Sequence, residues 1–242
     1  MNRFTDAIKH LIIINVILFL ANQVMNNALT PALALWYPTN PNFGYWQFVS
    51  HMFMHGSFTH ILFNMYALWA FGSPLEQMWG TKKFLFFYFS AGLGAGLIYT
   101  GVNYYQFNQV YEVLVQNSWS SSEIQDLLMT GQYQINRIGD LSGGDLQNFY
   151  QIFHTPAVGA SGAIYGILVA FGFAFPNAKL ALIFFPVPIA AKYFIPLIIL
   201  GDLFFGISGA NTGTAHFAHI GGALIGFLIM KYWQNNQFSR WD

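Results

Sequence analysis

Gly159-Ala160-Ser161-Gly162-Ala163-Ile164-Tyr165-Gly166 opens an apolar run that continues to Phe175. A serine framed by glycines at the mouth of a helix of membrane length has two readings. Small residues let a second helix approach closely, and packing alone accounts for the pattern. The same stretch also places a hydroxyl at the edge of an apolar layer, where a neighbouring base would turn it into a nucleophile. The choice rests on the polar inventory of the rest of the chain.

That inventory is small. Of 242 residues, 55% are hydrophobic, 19% aromatic and only 7% charged. Soluble domains carry about 25% charged residues, so the composition is that of an integral membrane protein whose surroundings are the lipid bilayer. The surplus of Phe, Trp and Tyr suits aromatic belts at the membrane–water boundary. Nine basic and nine acidic residues cancel and form no basic block, so nucleic acid is not an expected partner. The absence of cysteine removes disulfides, zinc–cysteine sites and a cysteine nucleophile.

Each membrane span needs about 20 mostly apolar residues. Six fit, at about 9–28, 58–77, 84–104, 157–175, 193–210 and 214–233. The first could pass for a signal peptide ending at Ala32-Leu33-Ala34, but that motif lies too far beyond the apolar core. The apolar stretch Leu180–Ala191 is interrupted by Pro186 and Pro188, with Pro196 following, and reads as re-entrant or interfacial because proline disrupts a helical ladder. The chain reads as a single membrane domain over 1–242, with no internal repeat.

An even number of spans puts both termini on one side. Arg3, Lys9, Lys82, Lys83, Lys179, Lys192, Lys231 and Arg240 then share that side, and Arg137 alone lies opposite. This asymmetry predicts cytoplasmic termini. Without an Arg- and Ser-rich leader, the expected location is a bacterial-type plasma membrane. Residues 29–57 are rich in proline and aromatics and read as an interfacial loop. Residues 105–155 are the one polar region and read as a solvated external loop. Within it, Ser120 to Glu123 has the form of a capping box, and Asp145 is placed to cap a short helix ending near Phe153.

Ionisable groups inside spans are costly and usually functional. His60 and Asn64 lie four apart on one helix face. Tyr165 follows Ser161 at the same interval, and His216 and His219 open the last span. Gly162 and Gly166, like Gly222 and Gly226, form small-xxx-small ridges, which predict a close crossing that brings His219 to Ser161. A neutral imidazole is the usual base for serine, and a tetrahedral intermediate needs donors for its oxyanion. His60, Asn64 and backbone amides at the start of the fourth span suit that task. Asp202, seventeen residues before His219, reads as a helix-end hydrogen-bonding residue rather than a catalyst, so the site reads as a Ser–His dyad. His51 and His55 read as groups that satisfy loop backbone or each other. His216 reads as structural, though it is the main rival to His219. Trp79, Trp233 and Trp241 read as interface anchors, and Met52, Met54 and Met65 as packing.

Here the residues resemble a known family, the rhomboid intramembrane serine proteases. Gly159-Ala160-Ser161-Gly162 is similar to their GxSG motif, and Ala218-His219-Ile220-Gly221-Gly222 with Gly226 to their catalytic histidine and glycine ridge. His60 and Asn64 are similar to their HxxxN element, and Gly72, Glu76 and Gly80 to GxxxExxxG. The resemblance covers about residues 9–233. It implies an all-α membrane protein, a six-transmembrane-helix rhomboid-like bundle, that cleaves transmembrane segments of other membrane proteins without a cofactor or metal. It makes Ser161 the nucleophile and His219 its base, with Tyr165 packed on His219. His60 and Asn64 serve the oxyanion, Gly159, Gly162, Gly222 and Gly226 support the site, and Glu76 is structural. Gln47 follows Trp46 where many members carry arginine, and the 105–155 connection is longer than in the minimal family core. Two rival readings are a catalytically inactive rhomboid-like binder and a metal or haem protein built on His51, His55, His60, His216 and His219. The sequence sets neither substrate identity nor oligomeric state.

Overall fold

The computed structural model describes residues 4–133, 137–182, 185–208 and 213–238. Arg3 and Arg240, counted in the charge asymmetry, and Trp241, read as an anchor, lie outside these residues. The molecule is an all-α membrane protein with one small hairpin. Among the described residues, the helices Asp6–Val24 (α1), Thr81–Gln116 (α6) and Ala191–Ser208 (α10) are each long and apolar enough to cross a membrane.

Helix α1 shows how sequence spacing selects the faces. Ile8, Leu11, Asn15 and Asn22 recur at helical intervals and are buried, while Ile13, Ile17 and Leu20 are exposed. An apolar residue turned outward here faces lipid rather than water. Asn15 donates its amide back to the Leu11 carbonyl at 2.8 Å.

Two short helical turns follow, Thr30–Leu33 (α2) and Gln47–Ser50 (α3), before the helix Phe58–Ala67 (α4). Ser57 caps α4 by accepting from the His60 amide. A π-helical turn, Leu68–Gly72, leads into Ser73–Trp79 (α5), and Gly80, at φ +78°, turns the chain into α6.

Helix α6 runs to Gln116, twelve residues past the expected end of the third span at 104. No proline or glycine stops it after Gly101, and Phe107, Val110 and Leu114 give its extension a buried stripe. Helices Ser121–Thr130 (α7) and Gly143–His154 (α8) pack on that stripe. The described residues of 105–155 are therefore not an irregular loop. They form a helical cap with its own apolar core, in which Phe107 stacks on Phe149 at 4.2 Å between ring centroids. Both helices of the cap start in full capping boxes, Ser120 with Glu123 and Ser142 with Asp145.

As expected, the described residues between 180 and 190 form no separate span; they form strands instead. Lys179–Leu182 (β1) and Phe185–Ala190 (β2) form an antiparallel hairpin, with Lys179 opposite Ala190 and Leu180 opposite Ile189. Pro186 and Pro188 cannot sustain a helical ladder but are tolerated on the edge strand of a two-stranded sheet. Pro196 is accommodated inside α10.

Helix Ser161–Ala174 (α9) lies at the centre of the bundle. It is apolar on all sides and enclosed, with Gly162, Ile164, Gly166, Ile167 and Ala170 among its buried residues. It packs against α6 and against His216–Phe238 (α11). The crossing with α11 is so close that a Cβ on Gly222 would fall 1.8 Å from the Gly162 carbonyl oxygen. On Gly226 it would fall 2.7 Å from the Gly166 Cα. On the other side, a Cβ on Gly162 would meet the Ala95 Cβ of α6 at 2.5 Å.

Candidate active site

That crossing sets the first pair of the site. Ser161 is the opening residue of α9, and His219 lies in the first turn of α11. The ridges Gly162/Gly166 and Gly222/Gly226 bring the two helix starts together, and Ser161 Oγ lies 2.9 Å from His219 Nε2. Tyr165, one turn below Ser161, stacks on the His219 ring with centroids 4.2 Å apart and planes 11° from parallel.

Gly159 governs the approach to Ser161. Its φ of +122° is disfavoured for any residue with a side chain. A Cβ there would also lie 2.8 Å from His60 Nε2 and 3.5 Å from Asn64 Nδ2. Its amide donates to the His51 carbonyl at 2.9 Å, which fixes the turn. His60 and Asn64, four apart on α4, thus line the backbone just ahead of the serine. Asn64 Nδ2 is buried and finds no hydrogen-bond partner among the described residues. A buried amide donor left open beside a serine–histidine pair has the chemistry of an oxyanion donor. A cavity of about 1920 Å³ is lined by His60, Asn64, Ser161, Tyr165 and His219 together, and it extends outward to Asn148 on the cap.

The residue that sequence reasoning missed is Asp202. On α10, 7% exposed, it holds His219 Nδ1 at 3.1 Å and His216 Nδ1 at 2.5 Å on its Oδ1. Its Oδ2 accepts from the Tyr165 hydroxyl. A signal was available: a carboxylate within a span is itself unusual. Asp202 and His219 also flank the same connection between consecutive antiparallel helices, and such residues meet across the hairpin. His216 Nδ1 contacts Asp202, whereas His219 Nε2 is the imidazole nitrogen beside Ser161 Oγ.

The other histidines fall elsewhere. His51 Nδ1–H donates to the Gln47 carbonyl at 2.7 Å, and burial pushes this imidazole down to about 4. His55 packs edge-on against His60, at 5.0 Å between centroids, rather than pairing with His51. Burial, and then the neighbouring His60, push it down to about 3. Both are neutral at physiological pH. Among the described residues, the one set of three possible metal ligands close together is Asp202, His216 and His219, within 4.8 Å.

The remaining sequence-selected residues are structural in their contacts. Glu76 accepts the Ala7 and Ile8 amides at 2.9 and 3.1 Å, the Thr81 hydroxyl at 2.7 Å, and the Thr5 hydroxyl. It supplies partners for amides that the start of α1 leaves open. Gln47, fully buried, gives its amide to the Asn42 carbonyl at 2.7 Å and takes the Trp36 amide at 3.2 Å, which holds the first loop closed. Trp79 and Trp233 pack edge to face at 5.1 Å, with Lys83 4.1 Å over the Trp233 ring. Met52, Met54 and Met65 are buried, and Met52 fills the space beside Gly92.

Comparison with known proteins covers most of the chain. The model of the Rhomboid domain matches residues 42–116 and 124–235. The chain is 27% identical over 187 residues to Rhomboid protein 1, mitochondrial, of Saccharomyces cerevisiae, covering 76% of this chain and 40% of that protein. It is 29% identical over 195 residues to Rhomboid protease AarA of Providencia stuartii, covering 76% and 54%. To the Presenilin-associated rhomboid-like protein, mitochondrial, of Bos taurus it is 30% identical over 199 residues, covering 76% and 38%. The aligned part thus accounts for 38% to 54% of the length of these relatives.

Proposed function

This chain belongs to the rhomboid family, and on that premise we propose that it is an intramembrane serine endopeptidase that cleaves transmembrane segments of other proteins with a Ser161–His219 dyad. The observation that carries the reading is the 2.9 Å contact between Ser161 Oγ and His219 Nε2 at the wall of a large cavity.

The chemistry follows from that contact. The Ser161 proton passes to His219 Nε2 as Oγ attacks the carbonyl carbon of the scissile bond, and the carbonyl π electrons move onto oxygen. Asn64 Nδ2, His60 and the backbone amide of Ser161 provide donors for that oxyanion. Collapse of the intermediate breaks the C–N bond, and the leaving amine takes the proton held on Nε2. Water then attacks the acyl-serine, giving its proton to His219. The second collapse releases the acid and returns that proton to Ser161.

The protein is integral to the membrane. The clustering of basic residues supports cytoplasmic termini, while two of the relatives above are mitochondrial. Localisation of a tagged chain decides the compartment.

The test uses protein purified in mild detergent, a fluorophosphonate probe and a fluorogenic transmembrane peptide. Wild type is expected to be labelled and to cleave. Ser161→Ala and His219→Ala are expected to lose cleavage by a factor on the order of 10³ or more. Unchanged cleavage in both variants sinks the assignment. A folded wild type that is neither labelled nor active on several peptides transfers the protein to the inactive, binding-only class.

A further inference from the structure

We infer that Asp202 is a positioning residue for the Ser161–His219 pair, holding the imidazole in the tautomer and orientation that keep Nε2 open to the serine proton. The inference rests on the serine-protease reading and adds a third member to it.

The hydrogen-bond chemistry leaves little freedom. An ionised carboxylate has only acceptors. At 3.1 Å from Asp202 Oδ1, His219 Nδ1 must therefore carry the hydrogen. A neutral imidazole with hydrogen on Nδ1 has its lone pair on Nε2, the atom 2.9 Å from Ser161 Oγ. The opposite tautomer would place a hydrogen between His219 and the serine and remove the base.

The carboxylate is itself fixed. His216 Nδ1–H donates to the same Oδ1 and the Tyr165 hydroxyl donates to Oδ2, so Asp202 on α10 is gripped by α9 and α11 at once. Tyr165 therefore touches both partners: its ring covers the His219 imidazole and its hydroxyl holds the acid beneath it. Buried at 7% exposure, the anion has donors on both oxygens, as a carboxylate removed from water requires. When the serine proton reaches Nε2, the imidazolium that forms already has an anion on its Nδ1–H. Asp202 keeps accepting that bond throughout and neither gains nor loses a proton.

A purely architectural Asp202 would tie three helices together and nothing more, and two measurements separate the roles. The first is steady-state cleavage by Asp202→Asn, which keeps the shape but presents an amide in place of one acceptor. The expected result is kcat reduced about 100-fold or more, little change in KM, and fluorophosphonate labelling slowed in parallel. The second is the tautomer of His219 in the wild type, read by nitrogen-15 NMR and assigned by its loss in His219→Ala. Hydrogen on Nδ1 is expected. A folded Asp202→Asn with kcat within about twofold of wild type overturns the inference, as does a wild-type His219 protonated on Nε2 alone. If Asp202→Asn does not fold, the wild-type tautomer decides. Cleavage that survives Ser161→Ala defeats the protease reading itself. Cleavage lost in Ser161→Ala but intact in Asp202→Asn defeats only the role of Asp202.

Discussion

Glu76 and Asp202 are both buried carboxylates in the helical bundle, 3% and 7% exposed, and both collect donors from more than one helix. Their donors differ in kind. Glu76 takes two backbone amides of α1 and two threonine hydroxyls, groups that hold their hydrogens throughout the accessible pH range. Asp202 takes two imidazoles and a phenol, and one of those imidazoles touches a serine. The same requirement, that a carboxylate out of water be surrounded by donors, builds a joint in one place and backs a serine–histidine contact in the other. What a buried acid does is set by what its partners are attached to.

The comparison breaks most visibly at Glu76. Glu76→Ala leaves amides at the start of α1 without partners and is expected to lower stability by roughly 3 kcal/mol or more. Thermal unfolding in detergent measures this, and the folded fraction should keep its specific activity. A folded Glu76→Ala with reduced kcat would erase the contrast with Asp202, whose Asn variant is expected to behave the other way round.

Gly222→Ala sharpens the contrast between joint and site, because it acts on both. Its Cβ would fall 1.8 Å from a carbonyl oxygen, so α9 and α11 must part. The expected cost is about 1–3 kcal/mol, with cleavage reduced at least tenfold as Ser161 and His219 separate. Gly101→Ala, where an added Cβ meets nothing within 4 Å, is the control. It should keep activity and gain up to about 1 kcal/mol from helix propensity.

The smallest effect belongs to the cap, where a half-exposed ion pair takes the place of a buried acid. Arg137 donates to Glu123 at 2.6 Å and lies over the Trp119 ring at 5.2 Å. The guanidinium first, and then the Ser120 amide, hold the Glu123 carboxyl at about 2 against an ordinary 4.5. A depressed carboxyl stabilises the folded form above its ordinary value, and that contribution disappears as pH falls toward 2. Trp119 fluorescence should therefore be flat from about pH 8 to pH 5 and change only on further acidification. Arg137→Ala should alter this acid limb while leaving cleavage at neutral pH unchanged. A large loss of stability at neutral pH would contradict the surface character of the pair.

Much of this was legible before any coordinates. The membrane class follows from 7% charge, and the faces of α1 from the spacing of its apolar residues. The glycine ridges pointed to the α9–α11 crossing, because a residue without Cβ at i and i+4 has few other uses in an apolar helix. Three features were not legible. The extension of α6 to Gln116 is stabilised by Phe107, Val110 and Leu114 packing on helices further along the chain, so local polarity suggested a loop. The hairpin at 179–190 depends on pairing, which an apolar run with two prolines does not announce. Asp202 reads from sequence as a helix-end hydrogen-bonding residue because its partners, Tyr165, His216 and His219, all lie on other helices.

The sequence by itself determined that this protein lives in a bilayer, which residues line one face of a helix, and which side chains have chemistry to offer: Ser161, His219, His60, Asn64 and Glu76. Only the tertiary structure decided which of them meet. It joined Ser161 to His219 across 58 positions, tied Asp202 rather than His216 behind that histidine, and turned a polar segment into a cap. The reason is geometric: covalent spacing fixes distances along a helix, whereas distances between helices depend on the volumes at every crossing. A glycine where a methyl group would strike a carbonyl oxygen sets them as firmly as any residue of the site.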